Sequence, residues 1–152
     1  MIFVYLLLSA VIVGIDQWVK IWTVSTFELG ESQSVISNIF SLTYIRNTGA
    51  AWSLLEGKMW FFTIITVIAV IAVLYFLIKN LHESKWFTIG LSLVLAGALG
   101  NFIDRVRLGY VVDMFQTDFI NFPIFNVADM SLVIGVACIF IYIILDEKEK
   151  GK

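Results

Sequence analysis

Carboxylates carry most of the candidate chemistry in this sequence. Asp113 lies in the segment GALGNFIDRVRLGYVVDMF, and Asp129 follows it by sixteen residues. Two carboxylates at a partly desolvated site cannot easily both ionise, so one of them keeps a proton. The ionised partner can then take a proton from water while the neutral one protonates a carbonyl oxygen. The pattern predicts acid–base hydrolysis, although the spacing alone leaves Asp104 and Asp118 as alternatives to either residue.

Other catalytic motifs are incomplete. The stretch HESKW begins like a zinc protease motif, but Trp86 stands where the second histidine is needed. The stretch GLSLV lacks the second glycine of a nucleophile elbow and has no histidine near it. The chain has one histidine and one cysteine, Cys138, which lies in an apolar run. We therefore expect no metal site, no cofactor and no disulfide framework.

Several of the charged residues have a structural alternative. Asp129 is an acidic residue near a predicted helix N-terminus, where it can act as a cap alone. Asp16 and Lys20 are four residues apart on one helical face, where they can form an interfacial ion pair or take part in function directly. Arg107 can be an interfacial anchor. The residue types and spacing leave these alternatives open.

The composition places these residues in a membrane protein. The chain is 60% hydrophobic and only 14% charged, with a mean hydropathy of +0.93. Soluble domains are about a quarter charged, so this chain falls outside their range. The net charge of -2 gives no indication of a nucleic-acid partner. At 152 residues, a single domain spanning residues 1–152 is expected.

Apolar runs predict four membrane-spanning helices. Their expected bounds are about residues 2–24, 59–78, 86–104 and 127–145. The first run lacks a basic leading region and a convincing cleavage site, so it is read as a retained helix and not as a signal peptide.

The segments at about residues 26–57 and 105–126 are expected to lie outside the membrane. The first contains NIFSLTYIRNTGAAWSLL, which predicts short strands and a turn. Pro123 and Asn126 suit the approach to a helix that begins near Val127. Four spans place both segments on one side, but Lys and Arg are five on each side, so charge bias hardly orients the chain.

Four stretches together resemble lipoprotein signal peptidase, the bacterial signal peptidase II family. They are DQWVK from Asp16, RNTGAAWS from Arg46, GNFIDR from Gly100, and VVDMF with FNVADM from Val111 onward. Any one would be weak, but their order and spacing cover nearly the whole chain. One departure is Met130, since members of the family usually carry a small residue after the aspartate.

The resemblance implies an all-α membrane protein with four transmembrane helices and a small extracytoplasmic β-like cradle. It implies an intramembrane aspartyl endopeptidase that cleaves prolipoproteins N-terminal to a diacylglyceryl-modified cysteine. Its partners would be diacylglyceryl-prolipoprotein substrates and membrane lipid, without nucleic acid, metal or cofactor. It would lie in the bacterial cytoplasmic membrane with both termini in the cytoplasm and the active site toward the outer face.

The resemblance also implies functional positions. Asp113 and Asp129 match the catalytic pair. The matching polar positions expected to bind substrate or support the site are Asp16, Lys20, Asn47, Asn101, Asp104, Arg105 and Asn126.

The alternative from another functional class is a small four-helix membrane transporter. Transporters place ionisable residues near the bilayer midplane. Here the span at residues 59–78 has no charge before its end, and the acids collect at one membrane edge. A non-catalytic assembly factor is a third possibility.

Overall fold

A computed structural model describes residues 2–49, 59–81 and 84–150 of the chain. In these residues four helices alternate with three short strands. The helices are α1 (Ile2–Thr26), α2 (Met59–Lys79), α3 (Lys85–Leu108) and α4 (Val127–Lys150), and the strands are β1 (Ser32–Ile36), β2 (Phe40–Asn47) and β3 (Val111–Thr117). Each helix contains a stretch long and apolar enough to cross a membrane. The predicted class of four spans with a small β structure is confirmed.

The third and fourth helices are longer than their sequence patterns indicated. α3 continues to Leu108 instead of ending near residue 104, so Arg105 lies on the helix and not in the following segment. The helix ends where Gly109 adopts a left-handed conformation, with φ of 76°, and donates its N–H to the carbonyl of Arg105. α4 continues to Lys150 instead of ending near residue 145.

Part of the predicted organisation lies outside the described residues. This applies to residues 50–57 of the first segment between the spans, which include the second half of the stretch RNTGAAWS, and to His82.

A three-stranded antiparallel sheet joins the two segments that were predicted to lie outside the spans. Its order is β1-β2-β3, so the central strand comes from the first segment and β3 from the second. Asn47 pairs with Val111, and Ile45 pairs with Asp113. The end of β2 is therefore beside the start of β3, which brings Asn47 next to Asp113.

One face of the sheet packs against the end of α1. Phe27, Tyr44, Val112 and Met114 form a buried apolar cluster, with Val19 of α1 packed against it. Val112 and Met114 lie on the same face of β3 because side chains alternate along a strand. Asp113 therefore faces the opposite side, away from the apolar cluster.

Small residues let α3 approach its neighbours closely. A Cβ atom added at Gly100 would lie 2.7 Å from the Oδ2 atom of Asp16 in α1. A Cβ atom added at Gly90 would lie 2.8 Å from the carbonyl oxygen of Gly135 in α4. Such contacts are typical of helix pairs in membranes. Small residues at four-residue spacing in α3 are buried there: Ser92, Ala96 and Gly100.

Candidate active site

Asp113 and Asp129 line the same cavity. The cavity has a volume of about 590 Å³ and lies between α3, β3, the segment before α4, and α4 itself. Among its lining residues in the described part of the chain, these two are the only acidic ones. Asp104 and Asp118, which the spacing had left open, are not among them. The geometry therefore distinguishes one pair of carboxylates where the spacing did not.

Asp113 is delivered to the cavity by β3 and is 2% exposed. Two neutral amides hold its carboxylate. Asn47 donates from Nδ2 to Oδ2 at 3.0 Å, and Asn126 donates from Nδ2 to Oδ1 at 2.6 Å. Burial, followed by the negative charge of Asp129, raises the pKa of Asp113 to about 7, although the two amide hydrogen bonds act in the opposite direction.

Asp129 lies in the first turn of α4 and forms a reciprocal pair with Asn126. The Oδ1 atom of Asn126 accepts the N–H of Asp129 at 2.9 Å, and Oδ2 of Asp129 accepts the N–H of Asn126 at 3.2 Å. This arrangement has the form of a capping box, with aspartate in place of the usual glutamate. The other oxygen of Asp129, Oδ1, accepts from Nδ2 of Asn101 at 2.7 Å. Asp129 therefore does take part in the cap of α4, and its carboxylate lines the cavity at the same time.

Asn126 connects the two carboxylates. Its side chain is fully buried. Its Nδ2 group donates to Asp113 and also to Oδ1 of Asn101 at 3.1 Å, while its Oδ1 atom accepts from the N–H of Asp129. These contacts fix the orientation of the amide, since exchanging its oxygen and nitrogen would place donors against donors.

A buried ion cluster holds the amide oxygen of Asn101. The ammonium nitrogen of Lys20 lies 3.0 Å from Oδ2 of Asp16 and 3.1 Å from Oδ2 of Asp104. It also donates to Oδ1 of Asn101 at 3.0 Å, which turns the amide nitrogen toward Asp129. All three charged residues are buried, and the Asp16–Lys20 ion pair that the spacing predicted is part of this cluster. Removing one member of such a cluster costs about 3–5 kcal/mol because it leaves a charge uncompensated.

The two acids of this cluster also position backbone near the site. Oδ1 of Asp16 accepts the N–H of Ala128 at 2.8 Å, in the first turn of α4. Oδ2 of Asp104 accepts the N–H of Val112 at 3.0 Å, beside Asp113. Gln17 adds a hydrogen bond of 3.0 Å to Oδ1 of Asp104. Gln17 was not among the predicted site residues, although a polar residue inside an apolar span is a signal for such a role.

Arg105 lines the same cavity from α3. Its guanidinium carbon lies 5.4 Å from the ring centroid of Phe62 in α2, which is a cation–π distance. The Nε atom is buried and has no hydrogen-bond partner among the described residues, so it can donate to a bound group. Phe62 was not predicted, since nothing in its apolar span distinguishes it. Arg107 is exposed and does not line the cavity.

The cavity is polar at the carboxylates and apolar along α4. Its apolar wall includes Leu132, Val133 and Ile134, of which Val133 is 69% exposed on the outer surface of the bundle. Met130 also lines the cavity and is 44% exposed, so its long side chain lies at the cavity wall and is not forced between helices. The arrangement can hold a polar reacting group beside an apolar chain. Among the described residues, no group of three or more His, Cys, Asp or Glu side chains could hold a metal ion.

Known proteins resemble this chain over almost its full length. The family model for signal peptidase (SPase) II matches residues 8–145. A lipoprotein signal peptidase of Enterococcus faecalis is 66% identical over 151 residues, which cover 98% of this chain and 94% of that protein. One of Lactococcus lactis is 52% identical over 145 residues, covering 94% and 96%. A solved bacterial membrane enzyme is 45% identical with a TM-score of 0.93, covering 99% of this chain and 93% of that one.

Proposed function

Since this chain belongs to the signal peptidase II family, we propose that it is an aspartic endopeptidase in which Asp113 and Asp129 activate one water molecule. The family assignment makes it a bacterial membrane protease of lipoprotein signal peptides and excludes the transporter and assembly-factor alternatives. The observation that supports the aspartic mechanism is that Asp113 and Asp129 line one cavity, where asparagine amides donate hydrogen bonds to each carboxylate.

The pair would share one proton near neutral pH. The raised pKa of Asp113, about 7, indicates that the site resists a second negative charge. The ionised carboxylate takes a proton from water, and the resulting hydroxide attacks the scissile carbonyl carbon. The protonated carboxylate gives its proton to the carbonyl oxygen, which forms a neutral tetrahedral intermediate. Collapse of the intermediate breaks the C–N bond: one hydroxyl proton returns to the carboxylate that protonated the carbonyl oxygen, and the proton taken from water passes to the leaving amine.

The surrounding residues would act by positioning. Asn47, Asn101 and Asn126 donate to the two carboxylates and hold them in place. Asp16, Lys20 and Asp104 would brace that set, since Lys20 orients Asn101 and the two acids hold the backbone of α4 and β3. The free Nε donor of Arg105 would bind a carbonyl group of the substrate.

The substrate would be a diacylglyceryl-prolipoprotein, cleaved N-terminal to its modified cysteine. The apolar wall along α4 suits the acyl chains because it reaches the exposed outer surface of the apolar helix at Val133. Binding energy from such a remote group can place the scissile bond against the catalytic pair.

We expect cleavage to require the lipid. A purified enzyme given diacylated and unmodified forms of the same prolipoprotein should show a kcat/KM lower by on the order of a hundredfold for the unmodified form, because the remote binding energy is lost. Initial rates of signal-peptide release measure this. A chelator should leave both rates unchanged. Equal cleavage of the two substrates would refute the lipid requirement, and strong inhibition by the chelator would refute a metal-independent mechanism.

We further propose that both termini lie in the cytoplasm and the cavity toward the outer face of the cytoplasmic membrane. In intact cells, a cysteine placed at Gln33 in β1 should then react with an impermeant thiol reagent, whereas one placed at Leu81 should not. Cys138, which is buried in α4, is first replaced to remove the background. External labelling at Leu81 would reverse the proposed orientation.

A further inference from the structure

A second cavity adjoins the first at the end of β3. It has a volume of about 510 Å³. Its polar lining comes from Gln116, Thr117, Asp118 and Asn121. Phe122 and Ile124 line both cavities. The two cavities therefore share a wall. A bound polypeptide that extends past this wall would contact both the carboxylate pair and the second cavity.

The outer edge of β3 faces the second cavity beyond Phe115. β3 is an edge strand, since the order of the sheet is β1-β2-β3. On its outer side, Phe115 exchanges two backbone hydrogen bonds with Phe125, at 2.8 and 3.1 Å. Backbone groups two residues apart in a strand point to the same side, so the N–H of Thr117 points outward as that of Phe115 does. An extended peptide can pair with such an edge.

An unsatisfied hydroxyl marks the same place. In the described part of the chain, two buried side-chain polar atoms have no hydrogen-bond partner: Nε of Arg105 and Oγ1 of Thr117. Arg105 lines the first cavity and Thr117 lines the second. Buried polar groups are rarely left unpaired because the loss of hydration is costly. Each cavity thus offers one buried donor or acceptor to a bound group.

We propose that the second cavity binds the polypeptide that follows the lipid-modified cysteine of the substrate, as an extended segment along the edge of β3. This inference rests on the proposed function. The first cavity is lined by the apolar surface of α4 and also shares Phe122 and Ile124 with the polar cavity. The membrane-bound part of the substrate therefore fits the first cavity, and the water-soluble part fits the second.

The chemistry of the lining restricts the segment that binds. Asp118 accepts hydrogen bonds from Ser41 at 2.6 Å and from Gln116 at 3.2 Å, and so places a fixed carboxylate in the lining. The segment bound is therefore polar and either uncharged or basic, since an acidic side chain would be repelled.

Two diacylated substrates test this site. They share the signal sequence and modified cysteine, but one ends at the cysteine as an amide and the other continues for about six polar, uncharged residues. We expect kcat/KM to be about tenfold higher for the longer substrate, as a few added backbone hydrogen bonds would give. Asn121→Trp, which fills the cavity from its exposed rim, should reduce this ratio to about one. Thr117→Val, which keeps the shape and removes the hydroxyl, should reduce it to about three.

The matched control is Ile36→Trp. Ile36 is 52% exposed on the opposite edge strand and lines neither cavity, so the tenfold ratio should remain. Turnover of the short substrate verifies that each variant is folded. Equal kcat/KM for both substrates, with cleavage that still requires Asp113, would overturn the second site and leave the proposed function intact. A ratio of kcat/KM that stays about tenfold in Asn121→Trp would also overturn the second site and leave the proposed function intact. Failure to cleave either substrate would overturn both proposals.

Discussion

Replacing Asp113 or Asp129 by asparagine is expected to lower kcat by roughly a thousandfold to ten-thousandfold, the upper part of the range typical of lost general acid–base catalysis. Asparagine keeps the shape of aspartate but cannot take or deliver a proton at neutral pH. Either variant should stay folded in detergent. The amide nitrogen introduced would face a donor at both positions, at a cost of about 1–3 kcal/mol, but the substitution also removes a charge from a buried site. Cleavage of a diacylated prolipoprotein and thermal unfolding measure the two effects separately.

Asp146→Asn is the matched control for this pair. Asp146 lies at the other end of α4 and does not line the cavity, so its replacement should leave turnover within about twofold of normal. If Asp129 acted only as part of the helix cap, its loss would cost about 1 kcal/mol of stability with little effect on turnover. Near-normal kcat in a folded Asp129→Asn protein would favour that alternative over catalysis.

Asn126→Asp is expected to lower kcat by about a hundredfold while keeping the N-cap hydrogen bond of α4. Aspartate is as good a helix N-cap as asparagine, so the hydrogen bond to the N–H of Asp129 is retained. The donor to Asp113 is lost, however, and a third carboxylate joins the pair. That negative charge makes ionisation of the pair harder and raises the pKa of Asp113 further. Asn126→Ala should lose both turnover and about 1 kcal/mol of stability.

A cap far from the cavity provides the comparison for Asn126. Ser84 is the N-cap of α3, and its hydroxyl oxygen accepts the N–H of Trp86 at 3.3 Å. Ser84→Ala should lower the melting temperature in the manner of a lost cap and leave kcat unchanged. If Asn126→Asp retained normal turnover, the contact between Asn126 and Asp113 would have no catalytic role.

The spans could be predicted because bilayer thickness fixes the length of an apolar run. The end of α3 could not be predicted in the same way. The span was expected to end at Asp104, with Arg105 outside the membrane, because charges are costly in lipid. In the structure, Asp104 is neutralised by Lys20 from α1, and Arg105 packs on Phe62 from α2. Partners on other helices remove the cost, and they become visible only once the helices are packed.

The candidate active site, like the spans, could be predicted from the sequence only in part. Family resemblance supplied Asp113 and Asp129, and β-prone residues indicated the sheet. The double role of Asn126 could not be predicted, since it depends on β3 and α4 meeting at one amide. The second cavity was also not foreseen, because it is formed by a strand edge and a turn and by no sequence motif.

The catalytic pair is tested most directly by the turnover of the Asp113→Asn/Asp129→Asn double variant compared with both single variants. Residues that act as one unit give strongly non-additive losses. We therefore expect kcat of the folded double variant to be within about threefold of the slower single variant. Independent roles would instead multiply the two losses, to roughly a millionfold or more. Such a multiplied loss, or substantial turnover by a folded Asp129→Asn protein, would contradict the two-aspartate mechanism.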